Sequence, residues 1–198
     1  MTPRCRALTP ILALLTLWVP ARAGAQAAPL VVEARVGAAV PVGRFSTGTR
    51  LGEGVTAGAS MGVDFAVSGS GRRTWYAGFS QHRFACTDAG CPSGGRYVAT
   101  TVDAGFRVNL LTRGSVIPWI RFGGITTRVE SPGLPGSPEG VSRRGYGGEA
   151  GLGIYAGMWS ALALNPGIRI QAVNTELPGG ALLRMRFLVA DLGFSLAF

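Results

Sequence analysis

Apolar and polar side chains alternate along most of this chain, most clearly at its C-terminal end. Every second position there is apolar: Leu188, Ala190, Leu192, Phe194, Leu196 and Phe198. Asp191, Gly193 and Ser195 lie between them and are polar or small. Because successive side chains of a strand point to opposite faces, this spacing predicts a strand with one apolar face and one polar or small-residue face.

The same period of two recurs upstream. It predicts strands over residues 31–42, 54–67, 74–84, 97–110, 116–128, 145–158 and 161–174. The second of these strands alternates from Val55 to Val67, which is longer than the usual strand of a soluble sheet. The start of the fifth strand is apolar throughout, so we choose the register that turns Arg121 inward, because an arginine facing lipid costs about 2–4 kcal/mol.

The connections between the predicted strands alternate strictly in length. Residues 43–53, 85–96, 129–144 and 174–181 are long or polar, whereas residues 68–73, 111–115 and 159–160 are short. Short periplasmic turns and longer outside loops are typical of outer-membrane barrels. We therefore predict an all-β domain over residues 28–198, an eight-stranded antiparallel up-and-down transmembrane β-barrel with both ends on the periplasmic side.

The N-terminal residues 1–27 have the composition of a cleaved secretory signal peptide. Arg4 and Arg6 precede an apolar run over residues 8–19, and small residues follow at 23–27. Cleavage after Ala25 or Ala27 fits equally well. No later stretch reaches the roughly 20 apolar residues of a membrane helix, so a membrane-inserted mature chain has to cross as a barrel.

The formal net charge is +9 and falls to +6 when Arg4, Arg6 and Arg22 leave with the signal peptide. This surplus suits anionic lipid headgroups. The arginines of the mature chain are scattered singly, which argues against nucleic-acid binding by an exported protein.

Two cysteines remain in the mature chain, Cys86 and Cys91, within a Gly- and Pro-containing segment. A close pair in the loop of an exported protein predicts a disulfide. A metal site would need more ligands than the single histidine, His82, and its surroundings supply. We expect no metal and no cofactor.

Charged residues near the middle of the predicted strands all fall on the inward face. They are Glu33, Arg35, Asp64, Asp103, Arg107, Arg121, Glu149, Arg169 and Asp191. An eight-stranded barrel is only wide enough for side chains to fill it, so these charges must pair. Counting from the turns pairs Asp103 with Arg121, Glu149 with Arg169 and, through barrel closure, Arg35 with Asp191. Both a structural salt-bridge plug and a narrow polar path or gate fit this arrangement.

Large aromatic residues lie at the periplasmic ends of the predicted strands. Trp75, Trp119, Trp159 and Phe198 predict an interfacial aromatic belt. The parity of Trp119 and Trp159 alternatively turns them toward the mouth of the lumen.

Three other classes of function find less support in the sequence. Ser80 and His82 share a strand face, as a hydrolase nucleophile and base would, but parity places His82 close to the outer rim. A soluble secreted carrier would need an apolar lumen and a polar exterior, the reverse of the predicted strand faces. Residues 151–156 match a dinucleotide-binding fingerprint, but no helix follows them, so the match carries no weight.

The strand count and the C-terminal pattern resemble the small eight-stranded bacterial outer-membrane β-barrel family over essentially all of the mature chain. The resemblance implies an outer-membrane location, contact with outer-membrane lipids, and recognition of the last strand, ending at Phe198, by the barrel-assembly machinery. It implies a non-enzymatic envelope-structural or loop-mediated interaction role, with no catalytic residues. A narrow porin-like channel and, less favoured, a lipid-modifying hydrolase stay open as alternatives. We expect a monomer.

Overall fold

The barrel is built from eight long strands. The computed structural model describes residues 30–42, 46–47, 55–68, 72–86, 95–131, 140–157 and 161–198. The strands are β1 (Leu30–Pro41), β2 (Gly58–Ser68), β3 (Arg73–Ala85), β4 (Arg96–Asn109), β5 (Val116–Ser131), β6 (Gly145–Gly157), β7 (Leu162–Glu176) and β8 (Leu182–Ala197). Two-residue strands extend the sheet, Ser46–Thr47 beside β8 and Gly140–Val141 beside β5. The described residues contain no helix long and apolar enough to cross a membrane.

Each long strand pairs antiparallel with its neighbours in sequence, and β1 also pairs with β8, which closes the sheet. Following paired residues once around the barrel from Leu30 leads back to β1 at Val40, ten residues further along. This stagger requires the strands to tilt relative to the barrel axis. The eight-stranded all-β barrel predicted from the sequence is confirmed.

The outer face of the barrel is apolar. The circuit that starts at Leu30 meets only outward-facing apolar side chains: Val67, Trp75, Phe106, Phe122, Ala150, Ile170, Leu188 and Val40. Phe106 contacts Trp75 and Phe122 on the two adjacent strands, with ring-centroid distances of 6.1 and 5.9 Å. Exposed aromatic and aliphatic side chains in a continuous band are typical of a lipid-facing surface.

The strand ends differ from the predicted ones. β2 begins at Gly58, not residue 54, and Val55 instead forms an isolated bridge with Cys86. β5 and β7 continue to Ser131 and Glu176, because their neighbours keep supplying hydrogen-bond partners where the apolar pattern has already faded. Val98, which the alternation of β4 places on the lipid face, is only 8% exposed, between Arg83 and Glu130 on the adjacent strands.

Candidate functional site: the filled lumen

The alternation of the strands turns nine charged side chains into the barrel. None of them is more than 9% exposed, and together they comprise five carboxylates and four guanidinium groups: Glu33, Asp64, Asp103, Glu149, Asp191, Arg35, Arg107, Arg121 and Arg169. They extend from the middle of the lumen to the end next to the short turns. Buried charges of this number are tolerated only when they pair and hydrogen-bond.

Arg121, on β5, is the centre of this network. Its Nη1 atom donates to Asp64 Oδ2 at 2.8 Å, and its Nη2 atom donates to Asp103 Oδ2 at 2.8 Å and also to Glu149. The guanidinium carbon lies 3.8 Å from the centroid of the Tyr76 ring, whose hydroxyl donates to Glu149 at 2.7 Å. One cation therefore joins carboxylates from three strands.

Arg35 and Arg169 extend the network to the closing strands. Arg35 pairs with Asp64 at 2.5 Å and with Asp191 at 3.7 Å. Arg169 pairs with Asp191 at 2.5 Å and with Glu149 at 3.5 Å. The three pairs expected from counting along the strands are therefore all present in the structure.

Arg107 forms a second cluster nearer to the short turns. Its Nη1 atom donates to Glu33 Oε2 at 3.1 Å, and its guanidinium lies 4.6 Å from the centroid of Trp119 and 5.0 Å from that of Tyr155. The Trp119 indole N–H donates to Asn165 Oδ1 at 2.7 Å. Below this cluster, a cavity of about 290 Å³ lined partly by Tyr155 opens toward the short-turn end.

A polar layer lies above the charge network. The His82 ring contacts two hydroxyls, Ser60 Oγ at 2.9 Å from Nδ1 and Ser80 Oγ at 3.2 Å from Nε2. Thr101 and Thr127 hydrogen-bond to each other at 2.9 Å. His82 is fully buried, so its predicted position near the outer rim is wrong: the strands continue past it, and apolar side chains cover it.

The half of the lumen next to the long connections is filled by apolar side chains. This apolar plug comprises Ala39, Phe84, Tyr97, Ala99, Ile125, Val129, Val173, Leu177, Leu183, Met185, Phe187 and Val189. Phe187 contacts both His82 and Phe84, at ring-centroid distances of 5.0 and 5.2 Å. The lumen therefore has a charged half and an apolar half, with the hydroxyl and histidine layer between them.

Glycines inside the barrel leave room for these large side chains. A methyl group on Gly123 would collide with the Tyr76 hydroxyl oxygen, and methyl groups on Gly153 and Gly167 would collide with the Trp119 ring. A methyl group on Gly124, which faces outward next to Gly123, would meet no other atom within 4 Å. The inward glycines are thus a steric requirement of the filled lumen.

Solved structures share this architecture, although no protein-family model and no curated protein matches the sequence. Neisserial surface protein A matches with a TM-score of 0.65 and 16% identity, over 85% of this chain and 97% of that one. OprG of Pseudomonas aeruginosa gives 0.61 and 11%, over 88% and 98%. The N-terminal β-barrel domain of OprF of the same organism gives 0.53 and 12%, over 87% and 100%.

The chain has the fold of the small outer-membrane β-barrels. The apolar outer face and this fold together place the protein in the outer membrane, as expected from the sequence.

Sequence reasoning about this outer-membrane barrel missed the apolar plug. The signal was present in β8, where Leu183, Met185 and Phe187 alternate with Arg184 and Arg186. From residue 188 to the end of β8 the large apolar side chains face outward, whereas from Leu183 to Phe187 they face inward. Such a change indicates that this end of the strand extends beyond the lipid and that the lumen beside it is apolar.

Some expectations concern residues outside the described part of the barrel. The signal peptide at residues 1–27, Trp159 and Cys91 all lie there. The disulfide between Cys86 and Cys91 stays a prediction. Trp119 is described and is 3% exposed inside the barrel, so it faces the lumen and does not belong to a lipid-facing belt, whereas Trp75 is 60% exposed on the outer face.

Proposed function

We propose that this protein is a closed, non-enzymatic outer-membrane barrel that serves the envelope as a structural element and presents its long connections as an interaction surface. The observation that carries the proposal is the filled lumen. The charge network occupies one half, and the apolar plug occupies the other. Side chains that pack at both levels leave little room for a continuous water path in a barrel of eight strands.

The two halves oppose permeation in different ways. Ions that enter the charged half meet guanidinium and carboxylate groups already engaged with one another, for example Arg121 with Asp64 and Asp103. The apolar half around Phe187 and Met185, both fully buried, disfavours water itself. Hydrophobic constrictions close pores by excluding water, so the plug is the stronger barrier.

The surroundings of His82 support a non-enzymatic role. The hydroxyls of Ser60 and Ser80 hydrogen-bond to the two ring nitrogens of His82, and among the described residues no carboxylate hydrogen-bonds to this ring. A serine hydrolase needs an acid that orients the histidine and a path for substrate to the nucleophile. Ser80 is fully buried below the plug, which argues against such a path.

Single-channel recording in planar bilayers tests this proposal. We expect the wild-type barrel to remain closed and Phe187→Ala, which removes a large side chain from the plug, to show conductance steps. Phe194→Ala, on the lipid face of the same strand, is the matched control and should remain closed. Frequent, long-lived steps in the wild-type protein that neither Phe187→Ala nor Arg121→Ala changes would favour the narrow channel instead.

A lipid-hydrolysis assay in detergent-solubilised phospholipid tests the alternative that the protein is a lipid hydrolase. The proposal expects no release of fatty acid above that from a preparation without the protein. Hydrolysis that is lost in both Ser80→Ala and His82→Ala would overturn the non-enzymatic part of it.

A further inference from the structure

Outward-facing arginines begin where the apolar band of the barrel ends. In β8 the outward positions are apolar from Phe198 to Leu188 and then become Arg186 and Arg184. At about 3.3 Å per residue and a tilt of about 40°, the stretch from Phe198 to Leu188 covers about 25 Å, the usual height of the lipid-facing band. Arg186 and Arg184 therefore lie at the level of the headgroups, on the side of the long connections.

These two guanidinium groups are available to a ligand. Both side chains are exposed, and within the described residues neither pairs with a carboxylate. Two other cations at the same end are engaged: Arg143 pairs with Glu176 at 3.1 Å, and Arg83 donates to Gln81 at 3.1 Å. Arg184 and Arg186 are two residues apart on one strand face, so both can reach a single anionic group.

A largely apolar hollow lies beside Arg186 on the outer face. It has a volume of about 460 Å³ and is lined by Gly148, Glu149, Ala150, Ile170, Ala172 and Arg186. Ala172 is paired with Arg186 on the neighbouring strand, and Asn174 is paired with Arg184. Arg186 therefore borders the hollow, and Arg184 lies two residues further from the membrane on the same strand face.

We infer that Arg184, Arg186 and this hollow form a binding site for a phosphate-bearing lipid of the leaflet that meets the long connections. The planar guanidinium groups bind phosphate oxygens through paired hydrogen bonds. An acyl chain of the same lipid occupies the hollow against Ile170 and Ala172. The charge of the arginines matches the phosphate headgroup, and the apolar surface below them matches the acyl chain. The two lie at the levels at which a bilayer holds a headgroup and its chain. This site goes beyond the proposed structural role and does not depend on a closed lumen.

Lipid retention by the purified barrel tests the inference. The protein is reconstituted in phosphatidylcholine vesicles that contain bisphosphorylated lipid A, extracted in mild detergent, and the retained lipid A is measured by mass spectrometry. The variant is Arg184→Gln with Arg186→Gln. The control is Arg72→Gln with Arg73→Gln, which removes the same charge from two exposed arginines at the short-turn end. Altered gel mobility after boiling verifies that each variant is folded.

We expect the Arg184 and Arg186 variant to bind lipid A about 30-fold more weakly, since each arginine near a membrane surface strengthens binding about fivefold. The Arg72 and Arg73 control should retain lipid A as the wild type does, and dephosphorylated lipid A should not be retained. Equal retention by the wild type and the Arg184 and Arg186 variant would overturn the site. Equal losses in the variant and in the control would also overturn it, because binding would then follow total charge.

The substitution Ala172→Phe tests the hollow with the charge unchanged. We expect it to lower lipid A retention, because the ring fills the space assigned to the acyl chain. Full retention in this variant would overturn the role of the hollow.

Discussion

Arg107 and Arg121 lie directly opposite each other in the ladder between β4 and β5, but their guanidinium groups join different carboxylates. Arg107 turns toward Glu33 near the short turns, and Arg121 turns toward Asp64, Asp103 and Glu149 in the middle of the barrel. Two like charges side by side would destabilise the sheet. Each is instead neutralised by carboxylates from other strands, which ties the strands of the barrel together.

Removing the central cation should therefore destabilise the barrel strongly. We expect Arg121→Met to lower the free energy of unfolding by about 3–5 kcal/mol, because it leaves buried carboxylates without their partner. Urea unfolding in phospholipid vesicles, followed by tryptophan fluorescence, measures the change. Arg143→Met breaks an ion pair in which the arginine side chain is 79% exposed and should change stability by about 0–1 kcal/mol. Equal unfolding midpoints for the two variants would contradict the central role of Arg121.

The apolar plug should contribute to stability as a soluble protein core does. Phe187 is fully buried, so Phe187→Ala should cost about 3–5 kcal/mol through lost packing and a residual cavity. Phe194→Ala alters the lipid face of the same strand, where Phe194 is 45% exposed and lipid can fill the space. The same urea titration should show a much smaller effect there. A larger loss from Phe194→Ala than from Phe187→Ala would argue that the plug is not a packed core.

Two adjacent glycines offer a test of the filled lumen. Gly123→Ala should destabilise the barrel by about 1–3 kcal/mol, because the added methyl group collides with the Tyr76 hydroxyl. Gly124→Ala, on the open outer face, should be neutral or slightly stabilising. Tyr76→Phe should recover part of the loss in the Gly123→Ala background, as a double-mutant cycle would show. Independent, additive effects of the two substitutions would rule out the Tyr76 hydroxyl as the obstacle and leave the Ala104 carbonyl oxygen, the other atom that the methyl group would meet.

The position of the lipid band predicts how tolerance to charge varies with depth. Leu152→Arg places a cation on the lipid face within the band, where the cost is about 2–4 kcal/mol near the midplane. Tyr146→Arg places one on the same face of β6, beyond the band, where the cost is about 0–1 kcal/mol. Insertion into vesicles, scored separately from folding yield, measures the difference. Similar insertion of both variants would mean that the band is misplaced.

The predicted disulfide has a direct chemical test. A chain that begins at residue 28 contains only Cys86 and Cys91. We expect no labelling by a maleimide mass tag before reduction and two labels after it. The loop that the bond closes is short, so its contribution is about 2–3 kcal/mol at most and local. Labelling of both cysteines in the native, unreduced protein would exclude the bond.

The sequence by itself determined the number of strands, their order and the inward or outward direction of most side chains. Alternation is a local property: a strand that separates lipid from a crowded lumen must place Leu188 and Arg169 on opposite sides wherever its neighbours lie. The pairs Asp103 with Arg121 and Glu149 with Arg169 followed from counting along adjacent strands. The C-terminal strand was predictable for the same reason.

The tertiary structure decided what the lumen contains. Arg121 meets Asp64 and Arg107 meets Glu33 across strands far apart in sequence, because the tilt and closure of the barrel set which levels face each other. The apolar plug depends on the level at which each strand leaves the lipid, and a period of two contains no information about depth. The alternation puts Phe187 and Met185 on the inward face of β8, but only the closed structure shows that they meet apolar side chains from other strands and fill that end of the narrow lumen.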